Sequence, residues 1–139
     1  MIDQDKVRDR ITFLRGNLEI LRDLAQTPRV AFTERSMEFH AAVRLLQTSI
    51  EAMIDIAGHI VAREGLGSPK SYVEVFDLLG RSGAIAPEFL DRLRSMVRFR
   101  NRAVHLYADI DVSHVYGILR EDLGDLEAFI ELIVARYFV

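Results

Sequence analysis

Phe39-His40-Ala41-Ala42-Val43-Arg44-Leu45-Leu46-Gln47-Thr48-Ser49-Ile50-Glu51-Ala52-Met53-Ile54-Asp55-Ile56-Ala57-Gly58-His59-Ile60-Val61 has its apolar residues spaced for a helix. Phe39, Val43, Leu46, Ile50, Met53, Ala57, Ile60 and Val61 recur at steps of three and four, which line one side of an α-helix. The helix is predicted from about Glu34 to Glu64, where Gly65-Leu66-Gly67-Ser68-Pro69 stops it. Upstream, Val7, Ile11, Leu14, Leu18, Leu21 and Leu24 predict a first helix from about Asp3 to Ala25, closed by Pro28. Downstream, Ser71-Tyr72-Val73-Glu74 reads as a capping box opening a short third helix that ends near Gly83. Pro87 suits the first turn of a fourth helix reaching about residue 104. Asp109-Ile110-Asp111 breaks the pattern, and Asp111 or Ser113 caps a fifth helix running to about Arg136. Gly58, Gly117 and Gly124 inside helices fit close packing. The expected fold is all-α: an up-and-down bundle of about five helices in one domain, 1–139.

Composition narrows the function. Half of the 139 residues are apolar and 28% are charged, as in a globular chain able to bury an ordinary core. The absence of cysteine excludes disulfides, thiolate zinc sites and a thiol nucleophile. A net charge of −3 argues against a protein that simply coats phosphates. No signal-peptide layout opens the chain, and no uncharged apolar run nears the ~20 residues that span a bilayer. A soluble, cytoplasmic protein without membrane contact is the expectation.

The fourth helix carries the oddity. Leu90, Leu93, Met96, Val97, Ala103 and Val104 share an apolar face, and Arg100 falls near its middle. A buried arginine needs a partner, so Arg100 must meet a carboxylate, another subunit or a ligand anion. On the long helix, Arg44, Gln47, Glu51 and Asp55 follow one flank. Glu51 and Asp55 are like charges four apart, an unfavourable pair that a cation would relieve. The second and fourth helices are therefore expected to meet at Arg100.

Arg100-Asn101-Arg102-Ala103-Val104-His105-Leu106-Tyr107 follows from there. Arg100 and His105 stand ~140° apart on a regular helix. They converge only if the helix ends or tightens near His105, or if two subunits share the site. Tyr107 returns to the arginine's face only if the helix continues. Each residue also has a plainer account. His105 suits a helix C-terminus, Tyr107 a core ring with its hydroxyl at the rim, and the Arg94, Arg98, Arg102 ladder a solvated face.

His40, His59, His105 and His114 lack paired-ligand spacing, and no phosphate loop or nucleophile elbow is present, so neither a metal nor a cofactor is expected. One reaction needs only what is here. RNA brings its own nucleophile, the 2′-hydroxyl, so cleavage requires a proton acceptor and donor, and a cation for the phosphorane-like charge. Histidine can move the proton and a preorganised arginine can stabilise the charge.

At these residues the sequence resembles the HEPN superfamily, whose ribonucleases carry Arg, four to six residues, then His. It is most similar to HepT-like toxins, whose Arg-x4-His-x-Tyr pattern is matched by Arg100, His105 and Tyr107, with Asn101 as the polar residue after the arginine. The segments 46–52, 55–60, 65–69, 96–101 and 108–111 also look like family blocks, in order. Arg102 departs from the apolar residue expected there. The resemblance implies a homodimer with both Arg/His motifs in an interfacial cleft, and metal-independent endoribonuclease activity. Asn101, as part of the motif, and Glu51 and Asp55, from the charge argument above, are expected to support the site, and Arg94, Arg98 and Arg102 are the candidate RNA contacts. The resemblance further implies a minimal nucleotidyltransferase antitoxin that transfers AMP to Tyr107, placing a bulky anion beside Arg100 and His105. Two other readings stand beside it: a non-catalytic HEPN scaffold or substrate-binding subunit of a nucleotidyltransferase complex, and a nucleotide-binding helical module.

Overall fold

A computed structural model describes residues 1–138. Among them are six α-helices: α1 (Gln4–Leu24), α2 (Met37–Arg63), α3 (Tyr72–Gly80), α4 (Pro87–His105), α5 (Val112–Glu121) and α6 (Leu123–Tyr137). Two 3₁₀ turns, Arg29–Ala31 and Tyr107–Asp109, lie between helices. The expected all-α bundle is borne out.

α2 is the hub, packed against α1, α3, α4 and α5. Its expected stripe is buried, but so are Ala42, Ala52, Ile54 and Ile56, so the helix is covered around most of its circumference. One contiguous core results, with Leu14 and Leu18 from α1, Phe76 and Leu79 from α3, Leu93 and Val97 from α4, and Phe129 and Ile130 from α6. Between α1 and α2, buried Asn17 donates from Nδ2 to Thr48 Oγ1 (3.0 Å) and Ser49 Oγ (3.1 Å), which satisfies polar groups that would otherwise destabilise the interior.

The helix starts follow capping chemistry. Asp3 accepts from the Lys6 N–H, Ser36 from Phe39 and Ser71 from Glu74. Ser36 delays α2 past the expected Glu34, because its hydroxyl takes an orphan donor of the first turn. α3 stops at Gly80, and Gly83 (φ +81°) makes the left-handed turn beyond it. His59 ties α1 down: its Nε2 accepts the Asp3 backbone N–H at 2.8 Å.

The fifth predicted helix is two helices. At Asp122 (φ −113°, ψ −2°) the backbone leaves the regular helix, and the Asp122 carbonyl accepts from Asp125 rather than from the residue four on. α5 packs on α2, whereas α6 lies against α1, so the break redirects the chain. Among the described residues, no helix is long and apolar enough to cross a membrane.

Candidate active site

Arg100 leaves α4 towards α2 and meets Glu51, the encounter expected from the two mismatched charges. Nε donates to Glu51 Oε2 at 2.9 Å, and Nη2 lies 2.8 Å from the same oxygen. Nη1 donates to Asn101 Oδ1 at 3.2 Å, and Gln47 Nε2 adds a donor to Glu51 at 3.3 Å. The Tyr72 ring, on the first residue of α3, lies 5.0 Å from the guanidinium carbon, a cation–π distance. The arginine side chain is 15% exposed, enough to stay reachable from solvent. A guanidinium has five N–H donors. Glu51 engages two and Asn101 one, so each terminal nitrogen keeps one with no partner among the described residues.

Asp55 does not join this pair. It is exposed and faces a groove with Lys6 and Arg10 of α1. Four residues turn a helix by 40° beyond a full circle, enough to aim Asp55 at α1 instead of α4. Its expected supporting role at Arg100 is corrected accordingly.

His105 is the last residue of α4 and is exposed. The helix stays regular to its end, with the Leu106 N–H bonded to the Arg102 carbonyl, so Arg100 and His105 keep their ~140° separation within one chain. Leu106 (φ −136°, ψ 46°) then turns the backbone. Tyr107 therefore sits on a 3₁₀ turn, away from the arginine's face. Its ring stacks on His40 of α2, with centroids 5.8 Å apart and planes 8° from parallel. His40 and Glu51 are eleven residues apart on α2, so Tyr107 and Arg100 contact that helix at points about 16 Å apart along its axis.

The arginine ladder separates. Arg94, an expected RNA contact, is paired with Asp77 (2.7 Å) and Asp91 (2.8 Å), clamping α3 to α4. Arg98 and Arg102 instead line a groove between α4 and the α5–α6 end, with His114 and Asp125. Arg102 is partly buried, its guanidinium 6.0 Å from the Phe99 ring. That ring supplies the apolar company the position was expected to need. The apolar face of α4 is also offset from the ideal wheel: Phe99 is buried, whereas Val104 is 40% exposed. With Leu106 (54%) and Tyr107 (41%), Val104 forms an uncovered apolar patch around His105.

Tyr72 and His40 escaped sequence reasoning. Tyr72 looked like part of a helix start, and His40 like one of four histidines without a ligand pattern.

Six helices that set an Arg-x4-His-x-Tyr segment at the end of the fourth define a domain of the HEPN class. Residues 14–133 match the family described as Ribonuclease HepT-like. Over 91 residues the chain is 40% identical to an mRNA nuclease HepT of Shewanella oneidensis, covering 66% of this chain and 68% of that one. Over 75 residues it is 41% identical to a tRNA nuclease HepT of Aphanizomenon flos-aquae, covering 52% of this chain but only half of the relative. The tri-AMPylated HEPN toxin of S. oneidensis, solved in complex with an MNT antitoxin, superposes with a TM-score of 0.88 at 30% identity. That match covers 95% of this chain and 98% of the toxin. The chain belongs to the HepT-like ribonuclease family.

Proposed function

We propose that this chain, read as one HEPN-like domain over 1–139, is the toxin of a toxin–antitoxin pair. It is a metal-independent endoribonuclease of the cytoplasm, silenced when a nucleotidyltransferase antitoxin transfers AMP to Tyr107. The observation that carries the nuclease reading is Arg100, held by Glu51 and Asn101 with a donor left on each terminal nitrogen. Two such donors match two phosphate oxygens, and their fixed placement avoids reorganisation as charge develops. His105 takes the proton of the attacking 2′-hydroxyl, and its imidazolium returns one to the departing 5′ oxygen. Arg98 and Arg102 guide the RNA backbone along their groove.

One chain cannot assemble this site, since its Arg100 and His105 point apart. A two-fold homodimer through Val104 and Leu106 sets the Arg100 of each subunit against the His105 of its partner. Support for silencing at Tyr107 comes from the AMPylated toxin that this fold matches over nearly its full length, and from the tyrosine's exposure beside the patch.

The test is RNA cleavage in EDTA. Wild type cuts, while Arg100→Ala and His105→Ala each lose activity by at least ~100-fold. Mixing the two inactive variants through a dissociation step restores about a quarter of wild-type activity, because half the dimers are mixed and each has one intact site. No recovery on mixing defeats the shared site. No cleavage by wild type, and no growth arrest without the antitoxin, favours the scaffold reading, for which Arg100 bound to Glu51 is simply an interhelical clamp.

A further inference from the structure

Tyr107 and His40 are joined in a way that fixes the direction of their hydrogen bond. His40 Nε2 lies 2.8 Å from the Glu34 carbonyl oxygen, which can only accept, so this ring nitrogen carries the hydrogen. In a neutral imidazole the other nitrogen is then bare. That nitrogen, Nδ1, is 2.5 Å from the Tyr107 hydroxyl, which must be the donor. The stacked rings hold the two groups in register, and Phe39 braces His40 from the side with its centroid 5.1 Å away. A carbonyl that sets the tautomer, an imidazole, and a hydroxyl in hydrogen-bond contact with the imidazole's bare nitrogen form the layout that activates oxygen nucleophiles. Burial also pushes the Tyr107 phenol above its ordinary value, so the hydroxyl stays protonated at neutral pH and reacts slowly without a base. RNA cleavage as proposed above makes no use of His40.

We infer that His40 is the general base that prepares Tyr107 for nucleotidyl transfer, so that the toxin supplies part of the chemistry of its own silencing. The inference rests on Tyr107 being the AMP acceptor. In the step, a lone pair of the phenolic oxygen forms a bond to the α-phosphorus of a nucleoside triphosphate held by the antitoxin. The bond from that phosphorus to the α–β bridging oxygen breaks, and pyrophosphate leaves with the electron pair. The phenolic proton passes to His40 Nδ1, and the imidazolium keeps its other N–H on the Glu34 carbonyl until a proton is lost to solvent. After transfer Tyr107 has no hydrogen to donate, so the bond to His40 cannot re-form and the modified ring is released from α2.

Two measurements test this on the intact chain. In the first, a minimal nucleotidyltransferase of the MNT antitoxin class and ATP are added, and AMP incorporation is followed by intact mass for wild type, His40→Asn, His40→Ala and Tyr107→Phe. The amide of asparagine can keep a hydrogen bond near the Nδ1 position but is not a base. Both His40 variants are expected to be about 100-fold slower, with thermal midpoints showing them folded. A His40→Asn chain modified at the wild-type rate overturns the inference. In the second, which needs no antitoxin, N-acetylimidazole acylates tyrosines at pH 7 and peptide mass spectrometry reads each site. Tyr107 is expected to react about tenfold faster than exposed Tyr72, and His40→Asn to erase the difference. Equal labelling of the two tyrosines in wild type also overturns it. Wild type that is never adenylylated yet labels fast at Tyr107 instead defeats the acceptor reading alone.

Discussion

Glu51 binds Arg100 through a single oxygen and gathers Gln47 onto the same atom. Glu51 thus serves as a rigid mount more than as a neutralising charge. Its removal should act twice. Glu51→Ala leaves a guanidinium that is 15% exposed without its carboxylate. The expected loss of about 1–2 kcal/mol lies between exposed and fully buried ion pairs, and urea unfolding reads it. Cleavage should fall by at least ~10-fold because the arginine is no longer aimed, whereas Glu51→Gln keeps part of both. Unchanged stability and activity in Glu51→Ala would remove the mount from the site. This pair was legible in the sequence because each helix carried a charge that its own face could not satisfy. Asp55 was misassigned by the same logic, since a flank four residues on has already rotated towards α1. The Tyr107–His40 contact joins residues 67 positions apart, and no periodicity encodes such a meeting.

Helices one to four could be drawn from apolar spacing and caps, with ends shifted by at most a few residues. The α5–α6 boundary could not, because Leu119, Leu123 and Leu126 keep steps of four and three straight across it. Periodicity reports which side is buried, and both helices bury that side while packing on different neighbours. Asp122 sits at the break, where desolvation first, then Asp125 and Glu121, raise its carboxyl above the ordinary value. A carboxyl raised in the folded state favours folding when protonated. This favourable contribution is full below the unfolded value of ~3.9 and fades as pH rises through the higher folded value. At pH 7 the ionised group is therefore a net burden. Asp122→Asn should raise the melting midpoint at pH 7, and the gain should shrink on approaching pH 4. A midpoint that falls at pH 7 would show the carboxylate to be holding the break together.

The whole molecule is pinned at its N-terminus by His59, whose imidazole is lowered by desolvation, then by Lys6 and Arg63. A histidine lowered in the folded state is protonated first in the unfolded chain. Stability is thus at its plateau above the unfolded value of ~6.5 and declines as pH falls through it, until the folded imidazole is charged as well. Protonation also removes the acceptor that holds the Asp3 N–H. His59→Gln, which can still accept that bond, should flatten the decline between pH 7 and 5 in melting experiments. An unchanged slope would assign the acid sensitivity elsewhere.

The spacing of the two contacts on α2 limits how the proposed silencing at Tyr107 can work. A nucleotide tethered at the tyrosine starts about 16 Å down the rod from the arginine of its own chain, beyond a comfortable stretch for one short adduct. In the homodimer proposed above, the nearer prey for a single tag is the cleft shared with the other protomer. That proposal therefore entails blockade in trans, with a dimer marked on one side alone keeping one working blade.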